Sequence, residues 1–225
     1  MQYTLPLPAR ESLTAEDFLR TASNDDAVRL VLETPPTAWA GGSVLLITGP
    51  EGSGKTHLAS IWSDRWRAVP PSSQALTALV NGTPDAPRAL VLDDADHLAG
   101  QHTREEDLQH LYNAAKAAGV PFLLTARTPP ALWGLGLADI ASRLKSCPVV
   151  ALHEPDDALM RGLLLKQFAD RQLRLDEGVI DYLAKRLERT ASAVRAAVAL
   201  LDEKALAEGH KISIPFAQAT LFSDD

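Results

Sequence analysis

Directly after an apolar run, the sequence reads GPEGSGKT from Gly49 to Thr56. This satisfies G-x-x-x-x-G-K-[ST], the spacing of a phosphate-binding loop between a strand and a helix. The residue types account for the chemistry. Gly49, Gly52 and Gly54, with Ser53 among them, let the backbone turn its N–H groups toward an anion. The positive end of the following helix adds to that field. Lys55 is a mobile point charge for the β- and γ-phosphates, and Thr56 offers a hydroxyl to Mg²⁺; His57 comes next on the same helix. A second apolar run ends in acids, LVLDDADHL from Leu90 to Leu98. Asp93 falls where a P-loop protein orients Mg²⁺ and its water, and Asp94 where a hydrolytic base would stand. Asp94 is one methylene shorter than Glu, which weakens the expectation of rapid hydrolysis.

These residues need a scaffold, and the apolar pattern supplies one. Val44 to Thr48 is a short continuous apolar run, suited to a strand buried on both faces. A helix is expected from Lys55 to about Trp66, a second strand from Arg88 to Asp93, and a helix from Glu105 to Ala118 ended by Gly119. A third strand lies in VPFLLTA, a short helix runs from Ala138 to Lys145, and PVVAL gives a further strand. Alternation of this kind predicts an α/β fold with an open parallel sheet and helices on both faces. Ahead of it, Thr14 to Glu33 reads as helical, with Ser23 or Asn24 capping a second helix from Asp25 to Leu32. The stretch RAVPPSSQALTALVNG has few clean signals, and a short or edge strand is expected there. Beyond His153 only helices are expected: Asp156 to Gln172, Asp176 to Leu187, Ser192 to Ala207, and a short terminal one. The chain therefore divides into a tail (1–12), an α/β nucleotide-binding domain (13–152) and a small all-α lid (153–225).

Composition narrows the class. A net charge of −7 over 225 residues argues against a dedicated nucleic-acid binder, whose footprint is basic. The single cysteine, Cys147, excludes an internal disulfide and reads as a buried structural thiol. His57, His97, His102 and His110 lack metal-ligand spacing. The opening MQYTLPLP is too short to span a membrane and has no basic region ahead of it, so a cytoplasmic location is expected.

Several stretches resemble the DnaA branch of the AAA+ proteins, and best of all its short Hda family of replication regulators. EDFLRTASNDDAV is similar to that branch's N-terminal nucleotide-binding element, with Phe18, Leu19 and Asn24 on the matching positions. LVLDDADHL resembles its Walker B strand. LLTARTPP resembles its sensor I segment, which implies Thr125 as a polar contact on the γ-phosphate side; the position where close relatives carry an acid falls on Arg127 or its neighbours Thr125 and Thr128. GLADIASRLKSCPVVAL resembles the arginine-finger segment, which implies that Arg143 projects into a neighbour's nucleotide site. RTASAVRAAVALLDEKAL resembles the sensor II helix, which implies that Arg195 reaches back to the chain's own phosphates. The residues by themselves leave two plainer readings open, a surface ion pair for Arg143 and a solvated helix face for Arg195.

The resemblance implies a function. The chain would carry ADP (or ATP) with Mg²⁺, and would stimulate ATP hydrolysis by DnaA in trans rather than turn over rapidly itself. DnaA continues past its lid into a basic DNA-binding domain; this sequence ends at Asp225, so sequence-specific DNA binding is not expected. Gln2, Leu5 and Leu7 fall on the Q-x-x-L-x-L spacing of bacterial sliding-clamp ligands, and prolines already restrict that peptide to extended conformations. The sliding clamp and DnaA are thus the expected partners, with no membrane; a homo-oligomer is compatible with this reading. Two other classes compete. One is an autonomous AAA+ ATPase such as a helicase loader or clamp-loader-like subunit. The other is a scaffold with a vestigial nucleotide site.

Overall fold

The computed structural model describes residues 13–39 and 42–222. In chain order it contains α1 (Asp25–Val28), β1 (Val44–Thr48), α2 (Lys55–Trp66), α3 (Ser73–Asn81), β2 (Leu90–Leu92), α4 (His102–Ala118), β3 (Phe122–Ala126), α5 (Ala138–Ser146) and β4 (Val149–Ala151). Four further helices follow: α6 (Asp157–Asp170), α7 (Glu177–Ala184), α8 (Ala191–Glu208) and α9 (Ile214–Leu221).

The four strands form one parallel sheet in the order β2-β3-β1-β4. β1 lies inside it, with Val44 to Thr48 in register with Phe122 to Ala126 on one side and Leu46 to Thr48 with Val149 to Ala151 on the other. All five residues of β1 and of β3 are buried, as two-sided packing requires. Alternate residues serve opposite faces. Leu46, Leu90, Phe122 and Leu124 pack with α3, α4 and α5 through Leu79, Leu108, Leu111, Ile140 and Leu144. Leu45, Ile47, Leu123 and Val150 pack with α1 and α2 through Ala27, Leu58 and Trp62. The lid helices close on a core of their own, built around Met160, Leu164, Phe168, Ile180, Leu183, Val194, Val198 and Leu201.

Two expectations need correction. The stretch before β2 is mostly helix. Only Val69 joins the sheet edge, bridging Leu90 in parallel, with its N–H on Ala89 O and its carbonyl accepting from Val91 N, both at 3.1 Å. Pro70-Pro71 then stops any extension of the ladder. Ser72 Oγ accepts from Ala75 N at 3.1 Å and starts α3, and Gly82 ends it at φ +61°. The N-terminal segment is less helical than its pattern predicts: Ala15–Asp17 is a single 3₁₀ turn, and α1 runs into a π turn over Arg29–Glu33, closed by Thr34 N on Arg29 O at 3.0 Å.

Cys147 is buried, and its thiol donates to Leu144 O at 3.0 Å. Burial pushes its pKa up to about 11, which makes it a poor nucleophile. Among the described residues, no helix is long and apolar enough to cross a membrane.

Candidate nucleotide site

The phosphate loop leaves β1 at its carboxyl end, the side of a parallel sheet where ligands bind. Gly49 is required by close approach: a Cβ there would meet Leu152 O at 2.3 Å. Gly52, at φ +74°, lies under the lid, and a Cβ on it would come within 2.6 Å of the Thr190 side chain. Thr190 is the N-cap of α8, its Oγ1 accepting from Ala193 N at 3.1 Å. The lid therefore sits directly on the loop. Gly54, at φ +96°, forms the N-cap of α2.

Lys55 is only 6 % exposed, and its ammonium donates to the loop carbonyls of Gly49 and Pro50, each at 2.8 Å. Burial pushes its pKa below the ordinary lysine value, against the pull of Asp94 and Asp93. Thr56 Oγ1 donates to Asp93 Oδ2 at 2.8 Å, and Thr125 Oγ1 donates to Asp93 Oδ1 at 2.5 Å. Thr125 also accepts from Asp94 N at 2.9 Å. Thr125 is fully buried and holds the two acids in place.

The N-terminal segment flanks the same loop. Phe18 approaches Gly54 and meets the His57 ring edge-on at 5.1 Å between centroids. His57 Nε2 hydrogen-bonds Thr14 O at 2.8 Å. Leu19 lies against Gly162 of α6. Asn24 is buried and braces the turn itself, Oδ1 accepting from Thr21 N at 2.9 Å and Nδ2 donating to Leu19 O at 2.8 Å. Lys166 of α6 pairs with Asp17 at 2.7 Å, and Ser23 N donates to Asp156 Oδ2 at 3.2 Å, so this segment joins the lid to the α/β body.

Arg195 is half-buried in α8, the helix whose N-cap touches Gly52. Arg143 lies in the last turn of α5, where its Nε donates to Asp139 Oδ2 at 2.9 Å. It is half-buried, with its side chain 39 % exposed, and the plainer ion-pair reading describes its present contact. Gln2, Leu5 and Leu7 lie outside the described residues.

Thr190 and Glu105 were not anticipated as participants, nor were the contacts of Arg127. Thr190 gave no signal beyond its capping pattern. Arg127 pairs with Glu51 of the phosphate loop at 3.3 Å, while its backbone N–H donates to Asp96 Oδ2 at 3.1 Å. Glu105, 1 % exposed, accepts from Gly100 N at 2.8 Å and from Gly136 N and Leu137 N at 2.9 Å each.

The arrangement fits a nucleoside phosphate with Mg²⁺. Ser53 Oγ is buried in the loop without a hydrogen-bond partner, and the bare Cα positions of Gly49 and Gly52 keep the loop compact. Lys55 would neutralise phosphate charge, and Thr56 with Asp93 would hold the metal. The Mg²⁺ would supply charge neutralisation on the terminal phosphates. Among the described residues, no cluster of three or more His, Cys, Asp or Glu forms a separate metal site.

Comparison with known proteins agrees with this geometry. Domain III of the Thermotoga maritima replication initiation protein DnaA superposes with a TM-score of 0.76 at 21 % identity, over 96 % of this chain and 98 % of that one. AMPPCP-bound DnaA from Aquifex aeolicus gives 0.70 at 21 % identity, over 87 % and 66 %. Residues 157–221 match the family model described as "Hda, lid domain". The fold is AAA+, with an Hda-type lid. In sequence, the AAA+ module is 23 % identical over 234 aligned positions to the chromosomal replication initiator protein DnaA 2 of Chlamydia caviae, covering 95 % of this chain. It spans half the length of that relative.

Proposed function

We propose that this AAA+ module is a regulator of chromosome replication initiation. It binds the DNA polymerase sliding clamp through Gln2, Leu5 and Leu7, and it stimulates ATP hydrolysis by DnaA through Arg143, with ADP or ATP in its own site. The observation that carries this reading is the Hda-type lid at 157–221 on a DnaA-like body. Arg143 supports it, standing in the last turn of α5 with its side chain partly exposed. An arginine supplied in trans can raise phosphoryl-transfer rates by about 10³–10⁵. The clamp would raise the local concentration of the module near its partner.

The test is reconstitution: DnaA loaded with ATP, clamp on DNA, and this chain. Hydrolysis should accelerate with the wild type and not with Arg143→Ala. Replacing Leu5 and Leu7 with Ala should abolish clamp binding while nucleotide binding persists. Equal DnaA turnover with wild type and Arg143→Ala would remove the role given to Arg143. One observation favours a second reading: Lys55 lies in the loop and Thr56 Oγ1 donates to Asp93, the residue types that phosphate and metal binding need. Rapid phosphate release by the isolated chain would support an autonomous ATPase instead.

A further inference from the structure

We propose that Glu105 is a positioning residue that sets the orientation of Arg143; the inference rests on the reading of Arg143 as the arginine acting in trans. Glu105 stands in the first turn of α4, where an acid normally faces water. Here its carboxylate is buried and receives three backbone N–H groups from two different loops. Oε1 takes Gly100 N, from the loop that follows the Asp93-Asp94 pair. Oε2 takes both Gly136 N and Leu137 N, the two residues that lead into α5.

The second of these loops needs an anchor. It contains Gly134 at φ +68° and Gly136, and glycines leave a backbone many alternatives. Leu137 is the N-cap of α5 but has no side chain able to cap it. Glu105, from another helix, instead holds the amides of Gly136 and Leu137 at the entry to α5, and its negative charge suits the positive end of that helix. From Leu137, Arg143 lies six residues on, about 9 Å along the axis. Ile140 and Leu144 seat one side of α5 in the core. Glu105 fixes its entry, and the two restraints together determine where the guanidinium points. The opposite oxygen holds the loop beyond the acid pair, so one side chain references the arginine helix to the nucleotide end of the sheet.

Burial alone would raise the Glu105 pKa, but the amides of Leu137, Gly100 and Gly136 outweigh it and hold the carboxyl below the usual range. The group is therefore a carboxylate at neutral pH and accepts at both ends. Glutamine has only one accepting oxygen and must abandon one loop.

The experiment compares wild type, Glu105→Gln and Arg143→Ala in the full chain. Hydrogen exchange of the Glu105→Gln variant should accelerate by about tenfold or more at Gly136, Leu137 and the first turn of α5, with β1 and β3 still protected. In the DnaA reconstitution, its maximal stimulation should fall by about tenfold or more, since a misplacement near 1 Å can cost about 10²-fold. The DnaA concentration for half effect and the stoichiometry of the chain's own nucleotide should stay unchanged, which separates misorientation from unfolding. Unaltered exchange at Gly136 and Leu137, or full stimulation by the variant, would overturn the proposal. A wild type no better than Arg143→Ala would sink the regulator reading instead, and the exchange data would then decide the brace alone. Glu105→Asp, which keeps the charge but is one methylene shorter, gives the same readouts should the glutamine variant not fold.

Discussion

Thr56 donates its hydroxyl to Asp93 across 2.8 Å, joining the end of the phosphate loop to the end of β2. Both groups are Mg²⁺ ligands in the proposed site, and their pairing keeps them within reach of one ion. Mg²⁺ should therefore strengthen ATP binding to the wild type. Thr56→Ala and Asp93→Asn should each bind nucleotide with little difference between Mg²⁺ and EDTA. Titration of a fluorescent ATP analogue under the two conditions reads the effect. A full Mg²⁺ response in either variant would remove that residue from the metal site.

Gly52 is held under Thr190, so Gly52→Ala should be costly in two ways. A left-handed backbone costs a non-glycine residue about 1–2 kcal/mol, and the added methyl would meet the Thr190 side chain at 2.6 Å. The variant should be less stable to urea and should bind nucleotide at least about tenfold more weakly, because the α8 N-terminus must move. Wild-type stability and affinity would show that the lid does not rest on the loop.

Stability should also carry a signature of Glu105. Its folded pKa lies below the unfolded value of about 4.3. A depressed carboxylate contributes stability that is complete above the unfolded value and is lost as pH falls through the folded value. Urea unfolding should show Glu105→Gln less stable than wild type by about 2–4 kcal/mol at pH 7, the scale of a broken buried network. The difference should hold to about pH 5 and shrink below about 4.3. A difference that grew on acidification would contradict the assignment.

Asp139 is an exposed, same-helix partner of Arg143. Such pairs contribute little to folding, so Asp139→Asn should leave the melting temperature unchanged. It should not lower the stimulation of DnaA, because the guanidinium must leave Asp139 to act on a neighbour. A strong loss of stimulation in Asp139→Asn would mean that the pair itself is the working form.

The strands and the phosphate loop were legible because their signals are local: continuous apolar runs, glycines at fixed spacing, and acids at a strand end. The lid helices were legible from stripes such as Leu164 and Phe168, both of which enter its core. α3 was missed although Ser72 and Gly82 bracket it, since Pro70-Pro71 drew attention to a break rather than to the cap beyond it. The site was only partly legible. Asn24 and Thr125 have the polarity of ligand contacts, yet their side chains are spent on backbone and carboxylate partners within the chain. Glu105 could not be read at all. Its partners are main-chain amides, two of them 31 and 32 residues away, and amides carry no sequence label.

The ion pair between Lys166 and Asp17 fastens the lid to the N-terminal segment, but neither member depends on the other alone. Lys166 also bonds Asp170 at 3.0 Å on its own helix, and Asp17 accepts from Thr14 Oγ1 at 2.8 Å. If the lid were to rotate away, the ammonium and the carboxylate would each keep a companion that travels with them. The fastening is thus a clasp that could open without stranding either charge.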